Sequence, residues 1–372
     1  MIRRVIHPRG DWQARVEAGG LTWHGEGGGC WNEGAFYEFT EAELGRIRTT
    51  AREVYELHLL AAAHVVRHGL WSRLGVHEAD VPILKASWER QDWSLMGRFD
   101  FLLDEQGQAK LIEFNAETAL SVIETGPVQR KWQQEVMPGY GQFNELEKSL
   151  VAAWRRCGRQ HVHCAWRPRH PETAGTLRYL AGLVREAGLR ATVMAMHSLG
   201  WDAGRGSFVD CDGEPVDCCY KLYPWDWMLR EPFARCLMDS QTVFVEPAWR
   251  LMLSSKGMLA LLWELFSDHP ALLPAYADAD RLGASFVRKP FFGREGNNVC
   301  VVENGEVAEE LTGECGDQQQ VYQARVVNGG YTGRQAQLGV WMVGGEPVAL
   351  GMRESERLII TGDSAFVPHV VR

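Results

Sequence analysis

The sequence predicts a mixed α/β protein, and three segments carry that prediction. His161–Trp166 reads as a strand, Glu172–Ala187 as a helix stopped by Gly188, and Arg190–Met196 as a second strand, an order that favours parallel pairing. Asp104-Glu105-Gln106-Gly107 separates two alternating runs, Arg98–Leu103 and Lys110–Asn115, as in a β-hairpin. Glu41–Gly69 carries Ile47, Val54, Leu57, Ala61 and Val65 at helical spacing, behind a Thr40/Glu43 capping-box pair.

In chain order, the capped helix also bears His58, His64 and His68, read as helix-surface or core histidines. The hairpin follows within Trp93–Asn115, then a loop and helix over Thr118–Gln134, then an amphipathic helix over Asn144–Arg156. A small α/β unit spans about His161–Val245, and no G-x-G-x-x-G follows either of its strands, which argues against a nicotinamide site. Leu251–Ser267 reads as a helix opening with Ser254-Ser255-Lys256-Gly257. Ser285–Lys289 is a strand running into Gly293-Arg294-Glu295-Gly296-Asn297-Asn298. Further strands are expected at Val299–Glu303, Gln319–Val326, Gln337–Val343, Val348–Arg353 and Leu358–Ile360.

The 372 residues include 39 basic and 48 acidic side chains, a net charge of −9. That length suits two or three domains, and 45% apolar with 23% charged residues is globular composition, which excludes global disorder. The acidic balance argues against nucleic acid as a partner, because phosphate binding needs an uncompensated basic face. No apolar run approaches the roughly 18 residues of a membrane span, and the charged stretch Met1–Trp12 does not read as a signal peptide. Nine cysteines without framework spacing suggest a reduced, cytoplasmic protein. His161-Val-His-Cys164 with His170 suits zinc by ligand type, but two of these residues lie on an expected buried strand and no C-x-x-C accompanies them.

Chemistry gathers on the hairpin. Residues i and i+2 share a face, and the turn places Asp100 opposite Glu113 and Arg98 opposite Asn115 on that same face. Phe99, Phe101, Leu103, Ile112 and Phe114 make the other face apolar. Two facing carboxylates repel, and a hard cation with oxygen ligands such as Mg²⁺ removes the repulsion. Arg98 beside them suits a phosphoryl or carboxylate oxygen. The competing reading is a solvated face with an Arg98–Glu113 salt bridge.

After the Ser285–Lys289 strand, Gly293 and Gly296 let backbone N–H groups approach an anion, and Lys289 and Arg294 add positive charge. No G-K-[ST] follows, so this is not a Walker A loop. Lys256 at a helix start suggests an anionic partner. Gln320-Val-Tyr322-Gln323 offers backbone hydrogen bonds to an adenine. Arg353 precedes an expected turn, and Asp363 lies in another.

Taken in order, Arg98-Phe-Asp100, Glu113-Phe-Asn115-Ala, Lys256, Lys289-Pro-x-x-Gly293-Arg294-x-Gly296-x-Asn298, Arg353 and Asp363 resemble the synthetase domain of glutathionylspermidine synthases, from about Trp31 to the C-terminus. The resemblance implies a circularly permuted ATP-grasp fold with an inserted small parallel α/β, pre-ATP-grasp-like domain. Its parts are a metal-binding part over 1–155, the inserted domain over 156–250 and a nucleotide-binding part over 251–372. Most ATP-grasp enzymes place the nucleotide lysines before the carboxylates; here the hairpin comes first, as in this family.

The implied activity is ATP-dependent C–N ligation of a peptide or small carboxylate to a polyamine or other amine. Asp100, Glu113 and Asn115 would hold two Mg²⁺ ions. Lys256, Lys289, Gly293, Gly296, Gln320, Tyr322 and Gln323 would bind ATP. Arg98, Arg294 and Arg353 would act on the phosphoryl group or the substrate carboxylate, and Thr118, Ser121 and Asp363 would meet the substrates. Leu120 stands where the family places a second hydroxyl, with Ser121 one place later, and the chain before Arg98 is too short for the amidase of the bifunctional members. The alternative is a catalytically silent ATP-grasp module that senses nucleotide or peptide.

Overall fold

The computed structural model describes residues 1–24, 30–168, 171–313, 316–326 and 333–372. The first half of the chain contains β1 (Ile2–Val5), α1 (Trp12–Ala18), β2 (Ala35–Phe39), α2 (Glu41–His68), α3 (Val81–Glu89), β3 (Met96–Leu103), β4 (Ala109–Asn115), α4 (Gln129–Val136), α5 (Leu146–Arg155), β5 (His161–Trp166) and α6 (Pro171–Glu186). The second contains β6 (Arg190–Ala195), β7 (Gly200–Asp202), β8 (Ser207–Val209), β9 (Cys218–Leu222), α7 (Trp225–Met228), β10 (Val243–Val245), α8 (Arg250–Ser254) and α9 (Gly257–Phe266). The last stretch is all strand: β11 (Ala275–Tyr276), β12 (Phe286–Pro290), β13 (Cys300–Glu303), β14 (Glu306–Glu310), β15 (Gln320–Ala324), β16 (Gln335–Val343), β17 (Glu346–Ser355), β18 (Ala365–Phe366) and β19 (His369–Val371).

Two five-stranded sheets frame the candidate site. In one, β3 and β4 pair with strands from the far end of the chain, in the order β18-β17-β16-β3-β4. The other runs β11-β15-β12-β13-β14. Between them in sequence lies a parallel sheet, β10-β9-β5-β6, as the strand–helix–strand order predicts. A small sheet, β1-β2-β19, joins the first residues to the last. α2 starts at the expected capping box: Thr40 Oγ1 accepts the Glu43 N–H at 3.2 Å and Glu43 accepts the Thr40 N–H at 2.8 Å. The helix buries Leu44, Ile47, Val54, Ala61 and Val65 in the main core.

The hairpin turn forms because Asp104 Oδ1 accepts the N–H groups of Gln106 and Gln108, with Gly107 in the left-handed region. Its register matches the sequence expectation at Arg98↔Asn115 and Asp100↔Glu113, then shifts at a bulge so that Phe101 faces Leu111. Ile112, expected on the apolar face, is left unpaired there and lines the cleft described below.

Two further expectations are corrected. The helix predicted over Leu251–Ser267 is broken into α8 and α9. Ser255 turns extended, its hydroxyl accepts the Gly257 N–H, and the Lys256 N–H donates to Phe291 O at 2.9 Å instead of continuing the helical ladder. Leu358–Ile360 is not a strand but a cleft-lining loop, and the pairing with β17 falls to β18. His163 contacts Asp210 at 3.3 Å and His161 contacts Thr192 at 2.8 Å. No three His, Cys, Asp or Glu gather as a metal set among the described residues, and His170 lies outside them. No helix among them is long and apolar enough to cross a membrane.

Candidate active site

The face of the β3–β4 hairpin predicted to be polar carries a closed set of contacts. Arg98, 8% exposed, grips Asp100, 1% exposed, with Nε and Nη2 at 2.7 and 2.9 Å, and its Nη1 donates to Leu120 O at 2.7 Å. The salt bridge weighed from the sequence, Arg98 with Glu113, is therefore replaced by Arg98 with Asp100. Asn115 Nδ2 lies 3.0 Å from Asp100 Oδ2 and 3.2 Å from Glu113 Oε1, so both carboxylates reach one point. Glycines make room for this arrangement. Gly339 pairs with both Asp100 and Gly351, and a Cβ on Gly339 would meet Arg98 Cδ at 2.8 Å. Burial raises the Asp100 carboxyl against the pull of Arg98. Burial also opposes ionisation of Glu113, but Lys256, Lys289 and Arg98 together bring it down to about 2.

Next to this face lies a cleft of about 890 Å³ between the two five-stranded sheets. Glu113, Lys256, Lys289, Gly293, Gly296 and Gln323 line it. The kink between α8 and α9 aims Lys256 into the cleft, 2.9 Å from Glu113 and 2.7 Å from Gly293 O. Lys289 donates to Gln323 Oε1 at 2.7 Å and to Ile112 O at 3.0 Å, and burial lowers its pKa to about 8. Gln323 is fixed in turn by Leu111 O at 2.9 Å. Gln320 and Tyr322 are not in the cleft. β15 alternates, Tyr322 packs on Phe286, and the last residue of the strand with the two after it, Ala324 to Val326, takes the lining position instead.

Arg294 also departs from expectation. Its guanidinium pairs with Asp226 and lies 5.0 Å from the Trp227 ring, on α7 of the parallel unit, and it does not line the cleft. Arg353 is half-buried near Arg98 and donates to the carbonyls of Thr361 and Gly362. Asp363 is exposed and accepts from the Thr361 hydroxyl. Thr118 is half-buried, and Ser121 is buried with φ +69°, in the turn that Arg98 ties down.

Several charged groups here escaped the sequence reading. Glu124, 3% exposed, has an Oε2 without a hydrogen-bond partner among the described residues. Burial, then the Glu124 charge, push Glu172 up to about 8, while Arg353 opposes the rise. Lys221, fully buried and lowered to about 8 by burial, lies 3.8 Å from Glu117 and 4.4 Å from the Trp225 ring. Glu117 accepts the Trp225 N–H at 2.8 Å. Glu117 and Glu124 flank the recognised motif in sequence, but neither Glu172 nor Asp226 lies in a pattern that marks it.

A family model, the glutathionylspermidine synthase preATP-grasp, matches residues 3–372. A putative acid–amine ligase of Haemophilus influenzae is 32% identical over 360 residues, 92% of this chain and 91% of that protein. Trypanothione synthetase of Crithidia fasciculata is 31% identical over 316 residues, 77% of this chain and 48% of that protein, so the match takes in about half of that relative. A solved glutathione synthetase-like effector from Globodera pallida shares the fold, with TM-score 0.62 over 97% of this chain and 96% of that one at 12% identity. With the cleft between two antiparallel sheets already described, the fold is of the ATP-grasp type, and the chain belongs to the glutathionylspermidine synthase preATP-grasp family.

Proposed function

We propose that the protein is an ATP- and Mg²⁺-dependent ligase that joins a carboxylate, on a peptide or small acid, to a polyamine or other amine. The observation that carries this reading is the 2.9 Å contact between Lys256 and Glu113. It sets a cation of the cleft against a carboxylate of the oxygen-rich sheet face, so a triphosphate and a hard cation have adjoining places. Family membership supports the same activity. Residues 1–155 then carry the metal-binding part, 156–250 the pre-ATP-grasp-like unit and 251–372 the nucleotide-binding part.

The donor set fits magnesium: two carboxylates converge on one point, and the Asn115 amide, which turns its Nδ2 to them here, would present its oxygen to an ion once turned over, all hard ligands. Asp100, Glu113 and Asn115 would hold two such ions, which neutralise phosphate charge when bound. Lys256 and Lys289 hold the phosphates, Gly293 and Gly296 let the backbone approach, and Gln323 with the segment after β15 faces the base. Arg98 and Arg353 stabilise charge developing on the transferring phosphoryl oxygens. Transfer to the acid gives an acyl phosphate, because oxide is too poor a leaving group for a free carboxylate. That intermediate hydrolyses readily, so Arg294 and its loop move over the cleft and exclude water. Thr118 and Ser121 meet the acid. Asp363, Glu172 and Glu124 hold the acceptor as an ammonium, and Glu172 takes its proton before the free amine attacks.

ADP release measured across a panel of peptides and polyamines, with mass spectrometry of the product, tests the reading. The expected result is one amide formed per ADP with at least one acid–amine pair. Binding of ATP without ADP release for every pair would leave the silent nucleotide-binding module instead.

A further inference from the structure

A second cleft, of about 1580 Å³, opens where β5, β6 and β9 end, and nothing in the ligase reading uses it. Its position has a topological cause. In the order β10-β9-β5-β6 the chain leaves β5 toward β6 and leaves β9 toward β10, so the loops part between β5 and β9. Open parallel sheets bind ligands at such a parting of loops, outside the carboxyl ends of the strands. Arg167, the residue after β5, and Tyr223, the residue after β9, both line the opening.

The lining is apolar on one side and cationic on the other. Phe208, Phe233, Trp227 and Met196 supply the apolar wall. Among the charged groups, Glu231 is occupied by the Tyr223 hydroxyl and Arg230 by Asp80. Arg167 has no hydrogen bond or ion pair with any described residue; its guanidinium lies 5.1 Å from the Trp227 ring centroid, and His197 stands exposed at the same mouth. The charge left unspent in the cleft is therefore positive, beside aromatic faces. A half-buried guanidinium with a planar fork is suited to a carboxylate.

We propose that this cleft binds an apolar carboxylate, with its acid group on Arg167 and its hydrocarbon or aromatic body against Trp227, Phe208 and Phe233. A neutral ligand would leave Arg167 unpaired, and a small hydrophilic acid would leave the apolar wall wet. The proposal needs no premise about ATP chemistry, so it stands or falls separately from the ligase reading. Trp227 is shared between the two regions: Arg167 lies on its ring and so does Arg294 of the Gly-rich loop.

Isothermal titration of the full chain, without nucleotide, against phenylbutyrate tests it, with phenylbutanol and butyrate as probes lacking the charge or the ring. The expected result is one saturable site for phenylbutyrate, with each partial probe weaker by about tenfold or more. Arg167→Met and Phe233→Ala should each weaken phenylbutyrate by about fivefold or more. Phe233 is 43% exposed, so its truncation spares the core and gives an answer even where the arginine variant folds poorly. Absence of saturable binding overturns the proposal. So does wild-type affinity in Phe233→Ala, which would place the probe elsewhere in the molecule.

Discussion

Asp100 and Glu113 face each other across one hairpin, yet they differ in what their loss does. Asp100 is the partner of a buried arginine, so Asp100→Ala leaves Arg98 desolvated and unpaired, at a cost of about 3–5 kcal/mol. Glu113, a quarter exposed at the edge of the cleft, meets Lys256, and a glutamine there keeps an oxygen for the lysine to donate to. Glu113→Gln should therefore lose ADP release by about a hundredfold or more while its urea midpoint stays near wild type, whereas Asp100→Ala should lose both. An active Glu113→Gln would remove this carboxylate from the metal set, and an unshifted midpoint in Asp100→Ala would contradict the buried pair. The facing of Asp100 and Glu113 is legible in the sequence because period two and one turn fix it. The partner of each carboxylate is not. Lys256 is far along the chain from Glu113, and the choice of Asp100 over Glu113 by Arg98 depends on Gly339, which arrives from β16.

Elements show the same division between local and distant causes. α2 is readable because its cap, stripe and terminal glycine are all local. The break between α8 and α9 is only half so: Ser254, Ser255 and Gly257 are weak helix formers, but what fixes the break is the distant hydrogen bond from the Lys256 N–H to Phe291 O. β19 likewise leaves no clear trace in a short apolar tail, and it is held by His369. Nε2 of that imidazole accepts the Phe143 N–H at 3.1 Å while Nδ1 lies 3.0 Å from Gln129 Oε1, so the ring is neutral, and burial lowers its pKa to about 3. His58 is lowered to about 4 by burial, against Phe99 and Phe114. An unfolded histidine titrates near 6.5, so between that pH and these lowered values the unfolded chain binds the extra protons. Stability is complete above about pH 6.5 and falls as the pH drops toward 4 and 3. One fully shifted histidine accounts for about 2 kcal/mol between pH 6.5 and 5. Urea midpoints should thus fall on going from about pH 7.5 to about pH 5, and fall less in His369→Gln. An equal drop in both would assign the acid sensitivity to other groups.

Across the whole molecule, the chain closes one cleft from its two ends: β3 and β4 come from the first third, and β12, β15, β16 and β17 from the last. The parallel unit between them in sequence meets the Gly-rich loop through Arg294, whose guanidinium points away from the cleft to reach Asp226 and the Trp227 ring. The loop is thereby moored on α7 of the parallel unit rather than on the sheet that carries it. If Arg294 acts on bound phosphates, nucleotide must first draw it off Asp226, and the lost ion pair is subtracted from the binding energy. The pair is partly exposed, so it is worth about 0.2–1 kcal/mol, up to about fivefold in affinity. Asp226→Asn should then bind a non-hydrolysable ATP analogue more tightly than wild type by up to that factor, while Arg294→Ala gives up the arginine altogether and loses turnover. Calorimetric titration of both variants separates the roles. Unchanged or weaker analogue binding in Asp226→Asn would mean that the mooring does not compete with nucleotide, and that Arg294 serves to join the loop to α7 rather than to cover the cleft.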